Sequence, residues 1–176
     1  MPRHTGAPSR CGVSTERNRS AVRAARPGDY GAVAALNREV QQFHADHYPA
    51  LFKPPSEGTL TRAAYEEWLA ETDALVLVAL DRDRVVGYAQ AVVVERQETA
   101  YRVALRVLCV HQICVAAAVR GRGHGHRLMT AIREHAASLA IRRLELNTWA
   151  ANSEARGFFE AEGFREFNVR MAAELD

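Results

Sequence analysis

Lysine is nearly absent from this chain: Lys53 stands alone, and arginine carries the rest of the basic charge. With 23 basic residues against 21 acidic ones, the net charge is only +2. That balance argues against a nucleic-acid-binding domain working through its arginines, so the arginine bias reads as coding preference. Cysteine is scarce as well. Cys11, Cys109 and Cys114 are odd in number and sit at no metal-ligand spacing, which excludes a disulfide framework or a zinc ribbon. Cys109 and Cys114 lie five apart in one expected strand, so they should point to opposite faces and stay reduced. Neither has a visible activating partner that would make it an acyl-carrying nucleophile. No apolar run reaches the length of a membrane span. The first twenty residues carry Arg3, Arg10, Arg17 and Arg19 but no apolar stretch, which does not fit a secretory signal. A cytoplasmic protein, away from membranes, is the expectation.

What is present suits one globular domain: 176 residues, 48% hydrophobic and 25% charged. Residues 1–20 lack apolar periodicity and read as a tail, leaving 21–176 as the domain. A short strand at Ser20–Ala25 is followed by Pro27-Gly28-Asp29, with Asp29 placed to cap a helix. Val33, Leu36, Val40 and Phe43 share one face of that helix. The connection from His44 to Gly58 holds three prolines, and a second helix covers about Leu60–Ala70. Leu75–Leu80 and Val85–Val94 flank the polar turn Asp81-Arg82-Asp83-Arg84 and predict a hairpin. Ala100–Val115 is rich in β-formers. Beyond a glycine turn, Leu128, Ile132, Ala136 and Leu139 fall at helical spacing to about Ala140. Leu144–Thr148 reads as a strand, Asn152 as the cap of a short helix ending before Gly163, and Phe164–Leu175 as a last strand. The order β-α-α-β-β-β-α-β-α-β predicts an α/β fold with a mixed sheet and helices on both faces.

The glycine turn, Arg120-Gly121-Arg122-Gly123-His124-Gly125, lies between a strand and a helix. Glycines there permit positive φ and close approach of backbone N–H groups to a ligand. The helix N-terminus adds unpaired donors and partial positive charge, and Arg120, Arg122 and Arg127 add full charges, so a pyrophosphate fits. A P-loop needs Lys and then Ser or Thr after the glycines, where His126-Arg127 stand here. A dinucleotide turn needs G-x-G-x-x-G near the start of a βαβ unit, whereas this spacing is G-x-G-x-G deep in the chain, although Glu145 follows at a fitting distance. Coenzyme A is the third candidate, and a purely structural tight turn is the fourth.

Arg120-Gly121-Arg122-Gly123-His124-Gly125 resembles the acyl-CoA motif Arg/Gln-x-x-Gly-x-Gly/Ala of the GNAT family of N-acetyltransferases, with Ile113-Cys114-Val115 as the strand before it. Asn152-x-x-Ala155-x-x-Phe158-Phe159-Glu160-x-x-Gly163-Phe164 resembles that family's second CoA-contacting helix, and the likeness extends over about 21–176. It implies the acyl-CoA N-acyltransferase fold, with a mixed but mostly antiparallel twisted sheet. It also implies acetyl-CoA as co-substrate, a primary amine of a small molecule or peptide as acceptor, and direct attack of one on the other, with a homodimer left open. By the resemblance, backbone at Ile113, Cys114 and Val115 pairs with the pantetheine arm and Val115 N–H polarises the thioester carbonyl. Backbone from Arg120 through Gly121, Arg122, Gly123, His124 and Gly125 to His126 holds the pyrophosphate. Asn152 and Ala155 meet the pantetheine, and Phe158 or Phe159 lies near the thiol. Many relatives carry Tyr as a proton donor where this chain has Phe159, so a non-catalytic CoA-binding module is the alternative.

An alkyl amine with a pKa near that of lysine is about a thousandth neutral at pH 7, so a base is expected. His111, on the strand before the turn, is the leading candidate, and Glu39 on the first helix is the second. The 44–58 connection is expected to help form the acceptor pocket through His44, His47, Tyr48 and Phe52, with Trp149 across the cleft. His44 and His47 lack a carboxylate or thiol to complete a metal set, so no metal is expected.

Overall fold

The computed structural model describes residues 20–175. Five strands form one sheet in the order β1-β2-β3-β4-β5. They are β1 (Ser20–Ala24), β2 (Ala74–Asp81), β3 (Arg84–Arg96), β4 (Leu105–Val115) and β5 (Leu144–Leu146). The first three pairings are antiparallel, and β5 joins β4 in parallel. Helices α1 (Tyr30–His47) and α2 (Arg62–Ala70) precede β2, α3 (His124–Ser138) lies between β4 and β5, and α4 (Ser153–Ala161) follows β5. The mixed, mostly antiparallel sheet expected from the sequence is therefore present.

Two apolar layers hold the sheet. Val33 and Leu36 of α1 and Tyr65 of α2 pack on Val76, Val78, Tyr88 and Cys114. Leu128, Met129 and Ile132 of α3 pack on the opposite face, against Ala89, Ala91, Leu108 and Val110. Burying such a side chain contributes about 1.5–3 kcal/mol, so each helix is fixed by its apolar stripe. Local polar chemistry sets the element ends. The Asp29 side chain does not cap α1 as expected; its carboxylate takes the Arg23 guanidinium at 2.6 and 2.8 Å and the Arg26 N–H at 2.8 Å, fastening β1 to the start of α1. Thr61 caps α2 by accepting from Ala64 N–H at 3.2 Å. The β2–β3 hairpin turns through Arg82 and Asp83, both left-handed at φ 48° and 65°, the backbone of a two-residue turn matched to strand twist.

One irregularity in β4 governs the site. Ala91 pairs with Val110, but Gln90 pairs with Gln112, so His111 is an extra residue, a β-bulge. An inserted residue reverses the alternation of faces beyond it. Leu108 and Val110 face α3, whereas Cys114 sits in the layer under α1. The expectation that Cys109 and Cys114 point to opposite faces therefore fails. Cys109 also looks away from the α3 layer, beside Glu145, and both thiols are free. Five residues of strand still separate them by about 16 Å, far beyond disulfide reach.

The last strand expected from the sequence is not formed. Gly163 (φ 87°) ends α4, and Phe164 N–H bonds Phe159 O at 3.0 Å. Beyond that point residues run without strand pairing, leaving Phe167, Val169, Met171 and Leu175 exposed. The alternation of apolar residues is present, but β5 has only three residues and is too short an edge to template a partner. The β-rich segment at 100–115 likewise becomes strand only from Leu105, because residues 97–104 form the β3–β4 connection.

Candidate active site

The parallel pairing of β5 with β4 ends at Val110 and Leu146. Beyond the bulge the two strands part, and a cavity of about 310 Å³ opens between them. Val110, His111, Gln112 and Ile113 line one wall, and Leu146, Asn147, Thr148 and Asn152 the other. Ala155 and Phe159 of α4 and Asn37, Gln41 and His44 of α1 close it above and below, together with Phe52.

The freed edge of β4 carries usable backbone groups. Ala116 N–H bonds Val86 O on β3 at 2.9 Å, and the Cys114 carbonyl faces β3, only 2.8 Å from where a Cβ on Gly87 would stand. By alternation, the N–H and C=O groups of Ile113 and Val115 face the edge that β5 has left. The Val115 carbonyl already accepts from Arg120 Nε at 3.1 Å. The Cys114 side chain is buried under α1, which pushes its thiol pKa up to about 12 and leaves it inert at neutral pH.

At the far end of that edge lies the glycine turn. Gly121 and Gly123 adopt φ 74° and 79°, and Gly123 is the N-cap of α3. The N–H groups of Gly121, Arg122 and Gly123 donate to no backbone carbonyl among the described residues, and those of His124, Gly125 and His126 are the orphan donors of a first helical turn. Gly125 is required for packing: a Cβ there would stand 3.1 Å from two ring carbons of Phe158. Arg127 bends back over the turn. It donates to Arg122 O at 3.0 Å and contacts His124 Nδ1 at 3.1 Å, while its buried Nε has no partner. Six main-chain donors with Arg122 and Arg127 beside them fit a pyrophosphate, and Arg120 pairs with Glu154 at 2.8 Å at the turn's start.

The remaining expected residues divide. His111 sits on the bulge, exposed, and lines the cavity. Glu39 is exposed on α1 and lies outside the lining. Asn152 lines the cavity, and its Oδ1 is occupied in capping α4 through Ala155 N–H at 3.0 Å. Phe159 is buried at the cavity, whereas Phe158 packs on the α3 layer. His44 and Phe52 line the mouth with ring centres 4.7 Å apart, and Trp149 packs on both, at 5.8 Å from His44 and 5.0 Å from Phe52. Tyr48 packs at a tilt on Trp149 with ring centres 4.7 Å apart, and its oxygen accepts from Ala151 N–H at 2.9 Å, tying the connection after α1 to the loop after β5. Burial holds the His44 pKa below its ordinary value. His47 instead stacks on Phe43 at 4.1 Å, away from this cluster's lining. The two histidines of the turn differ: His124 is 2% exposed, and His126 pairs with Glu162 at 2.8 Å on the surface.

Sequence reasoning missed a polar knot on the cavity wall. Asn37 Nδ2 donates to the Tyr88 hydroxyl at 3.0 Å and to Gln112 Oε1 at 2.9 Å, and the Tyr88 hydroxyl also donates to Gln112 Oε1. Burial raises the Tyr88 pKa well above its usual value, so the hydroxyl stays protonated and donates. The bulge is what turns Gln112 toward α1. One signal was available: Asn37 stands four residues after Val33, on the apolar face of α1, where an amide needs a partner.

Residues 38–164 match the Acetyltransferase (GNAT) family. The chain belongs to the GNAT acetyltransferase family. This GNAT chain is 38% identical over 120 residues to glucosamine 6-phosphate N-acetyltransferase 1 of Oryza sativa subsp. japonica, covering 67% of the chain and 70% of the relative. The fold matches the tetramutant of the BH1408 protein of Bacillus halodurans at a TM-score of 0.85 and 24% identity, over 88% of this chain and 99% of that one. It also matches the aminoglycoside N-acetyltransferase AAC(6')-Iy in complex with CoA at 0.69 and 16% identity, over 93% and 99% of the two chains.

Proposed function

We propose that the protein transfers the acetyl group of acetyl-CoA to a primary amine by direct attack in the cavity between β4 and β5. The observation that carries this reading is the run of main chain along the freed edge of β4, from Ile113 in the cavity lining to Val115, whose carbonyl meets Arg120 at the start of the donor-rich turn 121–126. In this reading the pyrophosphate rests on the turn, and the pantetheine arm adds along the free edge as a strand would. A Val115 or Ile113 N–H then polarises the thioester carbonyl as negative charge grows on its oxygen. The amine enters from the His44–Phe52 side, opposite the thiol. His111 takes its proton, directly or through water, because it is the exposed imidazole in the cavity lining. The amine attacks the carbonyl carbon, and the CoA thiolate departs without an acid at Phe159, since a thiol pKa of about 8.5 makes it a fair leaving group.

A CoA-binding module without turnover is the second reading, favoured by Phe159 itself, which lines the cavity and has no proton to give. Thiol release measured across a panel of amines, with product masses, separates the two. Amine-dependent release with an acetylated product supports transfer. Tight acetyl-CoA binding with no release for any amine supports the module.

A further inference from the structure

Among the described residues, the lining of the cavity contains no Asp, Glu, Lys or Arg. Its polar groups are amides, a hydroxyl and two imidazoles. Lys53 is exposed outside it, held near Gln41 only through its own carbonyl, 2.6 Å from Gln41 Nε2. A charge taken into such a space loses water and gains no counter-charge, which strongly disfavours binding. An acceptor phosphate has no cation to meet there, and a polyamine or aminoglycoside has no carboxylate for its additional ammonium groups. The mouth offers ring surface instead. His44, Phe52 and Trp149 pack together, and Trp149 still leaves 36% of its surface exposed. Deeper in, neither Asn37 Oδ1 nor Gln112 Nε2 has a hydrogen-bond partner among the described residues, and both side chains line the cavity, so one acceptor and one donor await a neutral polar group.

We infer that the acceptor is a monoamine carried on a flat aromatic body, with no phosphate and no second charge, seated against Trp149 and Phe52. This rests on the acetyl-transfer reading above and narrows its substrate. The ring stacks at the mouth, where aromatic pairs prefer offset or edge contacts. The amine reaches inward past His44, half-buried at the mouth, toward His111. Asn37 and Gln112, locked by Tyr88, orient the polar part of the molecule rather than a charge.

The test compares kcat/KM by thiol release for aniline, 2-phenylethylamine and tryptamine with that for glucosamine 6-phosphate, spermidine and an aminoglycoside. The expected result is preference for the aromatic monoamines. In Trp149→Ala, KM for the preferred aromatic amine rises about tenfold or more while the acetyl-CoA Kd stays unchanged, and Trp149→Phe restores KM to within about threefold. Higher kcat/KM on the phosphosugar or a polycation overturns this inference and leaves acetyl transfer standing. An unchanged KM in Trp149→Ala also overturns it. Binding of acetyl-CoA without turnover of any acceptor overturns the acetyl-transfer reading and the inference with it.

Discussion

Replacing Gly123 with Asp, and separately with Asn, isolates the electrostatic part of phosphate binding at the turn. The residue is left-handed at φ 79° and is the N-cap of α3. Asn and Asp are the non-glycine residues that best tolerate this conformation, and both are favoured at an N-cap, so either variant should fold. Each Cβ stands 3.1 Å from Arg127 Nη1, so in either variant that side chain must shift. The two variants differ in one charge. A carboxylate about 5 Å from a phosphate charge, at an effective dielectric of about 20, costs about 3 kcal/mol, which is roughly a hundredfold in Kd. Isothermal titration with acetyl-CoA at low salt should therefore give the Asp variant a Kd at least a hundredfold above that of the Asn variant, with matching melting curves. Raising the ionic strength should narrow the gap, because the turn is open to solvent. Equal affinities of the two variants would refute the placement of phosphate on this turn.

Two further outcomes follow from the geometry. Gly87→Ala puts a methyl group 2.8 Å from the Cys114 carbonyl, so β4 must move; urea unfolding should show a loss of about 1–3 kcal/mol and titration a weaker acetyl-CoA affinity, and unchanged values in both would contradict the close approach. His124 is held below its ordinary pKa first by burial and then by the neighbouring Arg127 charge. The unfolded chain binds this proton below about pH 6.5 and the folded chain does not, so His124 contributes stability that is complete above that pH and is lost as pH falls through the lower folded value. The carboxylates of Asp29 and Glu145, whose pKa values are lowered chiefly by hydrogen bonds from Arg23 and Arg96, act in a more acidic window. In urea melts between pH 7 and pH 5, His124→Asn should therefore flatten the pH dependence; a slope identical to wild type argues against the buried neutral ring.

Most of the scaffold was legible because its signals are local. The stripe Val33, Leu36, Val40 gave α1, the polar tetrad at 81–84 gave the hairpin, and Asn152 and Gly163 bracketed α4. The shape of the glycine turn was equally readable, since the positive φ of Gly121 and Gly123 is a main-chain geometry that few other residues permit. The bulge at His111 was not readable, because one extra residue in a strand leaves no composition mark and depends on how β3 pairs with it. From that omission came the wrong faces for the two cysteines and the missed contact of Gln112 with Asn37 and Tyr88. Gly87 was passed over for the same reason: its need arises from a carbonyl on a strand distant in sequence. The expected final strand failed in the opposite direction, with the right alternation at Phe167, Val169 and Met171 but too short an edge at β5 to receive it.

Amide hydrogen exchange with and without acetyl-CoA reads the main chain on which this account depends. Added acetyl-CoA should slow exchange in two places, the N–H groups of residues 121–126 and those of Ile113 and Val115, while the Cys114 amide, already facing β3, changes little. Slowed exchange elsewhere with no change at the turn and the freed strand edge would contradict it.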